Sequence, residues 1–156
     1  MTSSPKRVNI LQMLAANEEA VGKLYETYAN KIPEHEEFWF GLAMEEADHA
    51  NWLLDLITKV NKGSASVYES LFKTEDIQDF HNYLTEQLDR AKQERISFVE
   101  ALAIALNIEK SLIERKYFQI FEGGSEEYWH VLEYLASATE NHIKVIQKQL
   151  DKQKKL

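Results

Sequence analysis

Five side chains that are able to bind a metal ion interrupt otherwise apolar stretches of this sequence. They are Glu18, Glu46, His49, Glu109 and His142. Glutamate oxygens and neutral imidazole nitrogens are ligands that divalent iron and manganese accept. Glu46 and His49 are three residues apart, so on a helix both side chains can reach one ion. These residue types therefore predict a carboxylate–histidine metal site.

The stretches that carry these residues have the spacing of helix faces. Residues at alternating steps of three and four stay on one face of a helix, and each such series is apolar except near its middle. The four series are Leu11, Leu14, Glu18, Val21, Tyr25, Tyr28; Trp39, Leu42, Glu46, His49, Leu53, Leu56, Val60; Val99, Leu102, Leu106, Glu109, Ile113; and Tyr128, Leu132, Leu135, Thr139, His142, Ile146. Mid-helix positions of an up-and-down bundle meet at one level, so we expect the polar residues to converge on one buried spot.

Three buried carboxylates at one level need compensation. Desolvation of each ion costs on the order of several kcal/mol, and mutual repulsion adds to that cost. Protonation, an Arg or Lys partner, or a metal ion could resolve the conflict. No Arg or Lys falls at the same level of the four series. A divalent cation is the simplest remaining answer.

Capping and turn residues predict where the helices begin and end. We expect helices over residues 5–30, 33–61, 75–93, 97–121 and 125–150, with residues 63–74 as a connection. Ser97 and Glu100 have the spacing of a capping box, which starts a new helix, although the preceding helix could also continue without a break. This pattern predicts an all-α, up-and-down four-helix bundle over residues 1–156, with an additional short helix in the long connection between bundle helices two and three.

Composition narrows the class of protein. The 156 residues suit a single domain, and only five Gly and two Pro favour long helices. A net charge of −8 opposes sequence-independent binding to nucleic acid, and the absence of Cys excludes disulfides, iron–sulfur clusters and thiol catalysis. No apolar stretch approaches the roughly 20 residues of a membrane span, nor does one follow the N-terminus as in a secretory signal. We therefore expect a cytoplasmic protein.

Three segments resemble motifs of the ferritin-like superfamily, and within it of the rubrerythrin-like di-iron carboxylate proteins. They are residues 18–25, EEAVGKLY; residues 38–50, FWFGLAMEEADHA; and residues 101–109, ALAIALNIE. The resemblance implies a ferritin-like bundle that binds iron, as one or two ions, with manganese or zinc as substitutes. It implies that Glu18, Glu46 and His49 hold one ion, that Glu109 and His142 serve the second, and that Glu46 bridges them.

The fourth helix departs from the family pattern. The family would have Glu three residues before His142, but Thr139 stands there. Glu140 lies one residue later, about 100° around the helix, and would need a helical irregularity to substitute. Three Glu residues give −3 against +4 for two divalent ions. A hydroxide or an added carboxylate could close this gap, or one ion binds well and the second weakly or not at all.

Two functions follow from this pattern as hypotheses. The first is a rubrerythrin-like oxidoreductase that reduces peroxide or oxidises ferrous iron with oxygen, as a homodimer, with electrons from a separate donor protein because no Cys-rich rubredoxin domain is present. The second is a non-catalytic metal-binding or structural bundle with a mononuclear or empty site, because Thr139 replaces a bridging Glu.

The remaining polar and aromatic residues are given ordinary structural roles. We expect Glu19 and Glu45 to be solvated, and we expect Trp39 and Trp52 to be buried against neighbouring helices or a second subunit. Three tyrosines could form hydrogen bonds to the site, but we expect them to pack in the core. They are Tyr25, Tyr28 and Tyr117. Three histidines are expected on the surface: His35, His81 and His130.

Overall fold

The computed structural model describes residues 5–61, 66–67, 74–114, 121–122 and 126–156, and helices dominate this part of the chain. The helices are α1 (Pro5–Lys31), α2 (Glu36–Asn61), α3 (Thr74–Gln93), α4 (Phe98–Glu114) and α5 (Glu126–Lys154). A 3₁₀ turn, Pro33–His35, joins α1 to α2, and two short strands are present, β1 (Ser66–Val67) and β2 (Phe121–Glu122). The predicted all-α bundle with an additional helix is confirmed.

The helices pack as two hairpins with α3 added to the first. α1 packs along α2, α4 packs along α5, and the hairpins meet where α2 contacts α5. α3 packs against α1 through an apolar face at helical spacing, with Ile77, Phe80, Leu84 and Ala91 buried. α1, α2, α4 and α5 therefore correspond to the four predicted bundle helices, and α3 is the additional one.

A capping box separates α3 from α4. The backbone N–H of Glu100 donates to Oγ of Ser97 at 3.1 Å, and the Ser97 hydroxyl donates to Oε1 of Glu100 at 3.2 Å. Residues 94–97 lie outside both helices. The prediction of a new helix at this point is confirmed, and the alternative of one continuous helix is wrong.

The two strands form a short antiparallel ladder between the connections. Ser66 pairs with Glu122, and Val67 pairs with Phe121. The ladder brings the chain after α2 next to the chain after α4. The prediction that the helix reaches residue 121 is therefore wrong, since Phe121 belongs to β2. The predicted caps at Ser4, Gly63 and Ser125 lie outside the described residues.

An aromatic cluster fills the core around the N-terminal end of α2. The Trp39 ring is fully buried, with its centroid 5.4 Å from that of Tyr25 and 4.9 Å from that of Tyr28. Phe98, at the start of α4, packs edge-on against it at 6.1 Å. The predicted burial of Trp39 is confirmed, and this cluster fixes α1, α2 and α4 relative to one another.

One predicted helix face is shifted. Val99 is 43% exposed, whereas Leu102, Ala105 and Ile108 of α4 are buried. The prediction that Val99 faces the core is wrong, although Leu102 and Glu109 of the same predicted series are buried. Between those two residues the buried face of α4 also includes Ala105 and Ile108. No helix in the described ranges has an apolar run long enough to cross a bilayer.

Candidate metal centre

The five side chains singled out in the sequence lie together in the interior. Glu18 comes from α1, Glu46 and His49 from α2, Glu109 from α4 and His142 from α5, and all five are buried. They form two groups that share Glu46: one with Glu18 and His49, the other with Glu109 and His142. Within each group the ligand atoms lie within 4.8 Å of one another. The polar interruptions therefore meet at one level, and their binding of a metal stays a prediction.

Local helix geometry positions the first group. Glu46 and His49 are one turn apart on α2, which places Nδ1 of His49 3.5 Å from Oε2 of Glu46. α1 passes close to α2 beside them, at Gly22. A Cβ on Gly22 would lie 3.5 Å from the carbonyl oxygen of Ala43 and 3.6 Å from Cβ of Glu46. These are ordinary van der Waals distances, and Glu18, one turn before Gly22, joins the α2 side chains from this closely packed stretch of α1.

His142 joins the second group through one ring nitrogen. Its Nδ1 lies 3.0 Å from Oε1 of Glu46 and 3.3 Å from Oε1 of Glu109. Its Nε2 lies 2.5 Å from Oε2 of Glu45. The expectation that Glu45 is only solvated is therefore incomplete, because its side chain is 57% exposed yet contacts a ring that is 1% exposed.

Tyr25 supports the second group from α1. Its hydroxyl donates to Oε1 of Glu109 at 2.8 Å, and both side chains are fully buried. The interpretation of Tyr25 as a core residue alone is therefore wrong, since it packs against Trp39 and also orients a candidate ligand. The sequence signal was its position two turns after Glu18 on the same face.

Burial and mutual contact shift the pKa values of the side chains at the centre. Burial opposes ionisation of Glu46, but hydrogen bonds with Glu18 and His142 and the nearby His49 ring outweigh it and hold its pKa well below the usual range. Burial and the charge of Glu46 raise the pKa of Glu109 to about 8. Burial opposes the charge of His142, but hydrogen bonds to Glu109 and Glu46 raise its pKa to about 11.

The same buried charges act on Tyr25 and on any cation that enters the site. Burial, followed by the charges of Glu109 and Glu46, raises the pKa of Tyr25 well above its usual range, so its phenol stays protonated. Divalent cations would have to displace protons from the carboxyls and the imidazole to bind here.

Some buried oxygen and nitrogen atoms of the centre have no hydrogen-bond partner in the described part of the chain and could ligate a metal ion. Oε2 of Glu46, Oε2 of Glu109 and Nδ1 of His49 are buried without a hydrogen bond to the rest of the described chain. A buried polar atom without a partner costs about 1–3 kcal/mol, so such atoms call for an explanation. Carboxylate oxygens and imidazole nitrogens in this mixture suit iron, manganese or zinc.

Among the described side chains of α5, none places a carboxylate at this level. Thr139 is buried, and its hydroxyl donates to the carbonyl oxygen of Leu135 at 3.0 Å. Glu140 is exposed on an uninterrupted α5 and does not replace it. The departure at position 139 is thus a feature of the folded site, whose buried carboxylates among the described residues are those of Glu18, Glu46 and Glu109.

A cavity of about 270 Å³ lies between α2 and α5 beside the centre. It is lined by both histidine rings, whose centroids are 5.6 Å apart, and by Glu45. Trp52 is half-buried at its edge and packs against Tyr134 at 4.4 Å. A small molecule that enters this cavity would therefore meet His49 and His142.

Other polar residues have roles away from the centre. His35 stacks on Phe98 at 3.6 Å, and Nδ1 of His81 lies 2.8 Å from Oδ1 of Asn17. Both rings are half-buried, so they lie only partly at the surface, where we expected them. His130 and Glu19 are exposed as predicted. Tyr117 lies outside the described residues.

The bundle and its mid-level carboxylates and histidines define a ferritin-like protein with a candidate metal centre. The family model described as rubrerythrin matches residues 9–122, well over half of the 156 residues. The chain therefore belongs to the rubrerythrin family. No curated protein and no solved structure matched it. The match includes Glu18, Glu46, His49 and Glu109, but it ends before α5 and so leaves out Thr139 and His142.

Proposed function

We propose that this chain binds two iron ions at the centre and reduces peroxide, or oxidises ferrous iron with oxygen. The observation that carries the proposal is the pair of overlapping ligand groups that share Glu46. Manganese or zinc would be accepted as substitutes because the same oxygen and nitrogen donors suit them. Membership of the rubrerythrin family supports the same assignment.

In this proposal each residue has a defined task. Glu18, Glu46 and His49 hold one ion, and Glu46, Glu109 and His142 hold the other. Tyr25 keeps Glu109 in place through its 2.8 Å hydrogen bond. When bound, two ferrous ions supply the two electrons that, with two protons, convert one hydrogen peroxide into two waters.

The cavity between α2 and α5 supports a small oxidant as the substrate. A water molecule occupies about 30 Å³ in the liquid, so about 270 Å³ admits peroxide or oxygen with some accompanying water. The histidine rings line this cavity, whereas Glu46 and Glu109 are 0% exposed and lie behind them. With this arrangement an oxidant can reach the histidines while Glu46, the bridging carboxylate, stays shielded from water.

Repeated turnover needs a source of electrons. The 156 residues contain no Cys and cannot themselves form a Cys-ligated iron centre. We therefore propose a separate electron-donor protein. We also propose a homodimer, which can be checked by light scattering.

One observation favours a second function. Thr139 turns its hydroxyl to the helix backbone, so the three buried carboxylates bring −3 to a pair of ions with +4. A bundle that binds one ion, or none, without catalysis would be consistent with this deficit. The alternative is therefore a non-catalytic metal-binding or structural protein.

Anaerobic loading with ferrous iron tests these proposals. We expect two ions per chain, followed by a change in absorbance when peroxide is added, as ferrous iron becomes ferric. Glu46→Gln removes the shared ligand and should abolish both signals, whereas Glu140→Gln, at an exposed position of α5, should change neither. One ion per chain without oxidation by peroxide would favour the alternative, and no bound metal would exclude both metal-dependent functions.

A further inference from the structure

Glu45 contacts the centre from outside its buried shell. Its Oε2 lies 2.5 Å from Nε2 of His142. The opposite ring nitrogen, Nδ1, faces the buried carboxylates of Glu46 and Glu109 at 3.0 and 3.3 Å. The ring of His142 is thus held between one half-exposed carboxylate and two fully buried ones.

This contact aims the opposite ring nitrogen of His142 at the buried carboxylates. A carboxylate accepts hydrogen bonds, so Nε2–H donates to Glu45, and without an ion Nδ1–H faces Glu46 and Glu109. An ion that takes the place of the Nδ1 proton would leave Nε2–H bonded to Glu45 and Nδ1 directed at the ion. Without a partner at Nε2, a neutral imidazole can carry its single proton on either nitrogen.

We propose that Glu45 is a positioning residue that stands in for the carboxylate missing at position 139. It acts through His142, because it fixes the Nε2–H form of the ring and adds a negative charge beside it. Glu18, Glu46, Glu109 and Glu45 together match the charge of two divalent ions. This inference rests on the proposed function, since it assumes a second ion at Glu109 and His142.

Glu45→Gln is the direct test, because it keeps the size of the side chain and removes its charge. The side chain is 57% exposed, so the fold accommodates the change. Carboxylate partners of metal-binding histidines typically affect affinity by about 10–100-fold. In calorimetric titrations with Mn²⁺, we expect the second ion to bind Glu45→Gln about 10–100-fold more weakly, while the affinity of the first ion is unchanged.

Asp48→Asn is the matched control. Asp48 is an exposed carboxylate of the same helix and lines the same cavity, but among the described residues it has no hydrogen bond to either histidine. We expect its two affinities to equal those of the unmodified chain. Equal losses in both variants would mean that the general charge of the cavity matters, and would overturn a specific role for Glu45.

Two further measurements separate positioning from a structural effect. In Zn²⁺-loaded protein, the Nε2–H signal of His142 should be visible by ¹⁵N-resolved NMR and should shift in Glu45→Gln. Adding Thr139→Glu to Glu45→Gln should restore the lost affinity for the second ion. Two tight ions in Glu45→Gln, with an unshifted signal, would overturn this inference and leave the proposed function standing. An unmodified chain that binds no ion would overturn both.

Discussion

Replacing Thr139 by Glu separates the needs of the metal-free fold from those of the metal centre. Thr139 is buried, and its hydroxyl already donates to Leu135 within α5. It lies one turn before His142 on the same face, so a longer side chain would extend toward Glu46 and Glu109. The substitution adds a fourth carboxyl group where the chain already buries three.

The expected cost in the metal-free state follows from two terms. Extra volume in a packed core costs about 1–3 kcal/mol. A buried carboxyl with incompletely satisfied oxygens costs about 1–3 kcal/mol more. The sum is on the order of 2–6 kcal/mol in the free energy of unfolding. At roughly 2–4 °C per kcal/mol for a chain of this size, Tm should fall by about 4–24 °C.

The metal-bound state should respond in the opposite direction. The new carboxylate supplies the charge that two divalent ions lack, and we expect the second ion to bind at least about tenfold more tightly, which is 1.4 kcal/mol. Saturating ligand stabilises a fold by RT ln(1 + [L]/Kd), about 2.7 kcal/mol at 100 Kd per site. Thr139→Glu should therefore recover much of its lost Tm when metal is added.

The assay is thermal unfolding followed by circular dichroism, with a chelator and with excess Mn²⁺, alongside calorimetric titration. Val145→Glu is the control, because it adds the same group to α5 at a position that is 37% exposed. A Thr139→Glu chain destabilised equally with and without Mn²⁺, with unchanged affinity for the second ion, would refute the assignment of position 139 to the metal centre.

Three further substitutions test individual contacts. Tyr25→Phe removes the 2.8 Å hydrogen bond to Glu109 and should lower metal-free stability by about 1–2 kcal/mol in denaturant titrations, and weaken the second ion in calorimetry; unchanged values would show that the bond contributes nothing. Gly22→Ala should raise the free energy of unfolding by about 0.4–1 kcal/mol, because its Cβ would make only ordinary contacts, and Gly41→Ala, with open space around it, is the control. A loss of stability in Gly22→Ala alone would mean that α1 and α2 cannot move apart slightly. Ser97→Ala removes the cap of α4 and should lower Tm by about 2–4 °C, or about 1 kcal/mol, and no change would show the capping box to be dispensable.

The helices and the level of the site could be predicted because both depend on local spacing. Glu18, Glu46 and His142 interrupt apolar series at positions that a bundle brings together, and burial of such residues is too costly to arise without compensation. The cap at Ser97 is a signal contained within four residues. These features depend only on short stretches of sequence, so they can be predicted without knowledge of the tertiary structure.

Features that depend on the relative rotation of helices could not be predicted in the same way. Val99 belongs to a well-spaced series, yet it is exposed, while the neighbouring Ile108, outside that series, is buried. Phe121 follows a helical pattern, but its pairing with Val67 is a long-range contact. Spacing within one helix fixes a face only to within about one residue, or 100° of rotation, and packing decides the rest.

Glu45 shows what this limit means for the chemistry of the site. One residue before a buried ligand, it lies about 100° away on α2, which by spacing alone is a solvent position. Only the placement of α5 against α2 brings His142 within 2.5 Å of its carboxylate. The second hairpin therefore sets the charge near the centre as well as a ligand. The carboxylate that α5 lacks at Thr139 can be replaced by one on α2. The effect of a departure from a family motif on metal binding therefore depends on the neighbouring helices as well as on the helix that carries it.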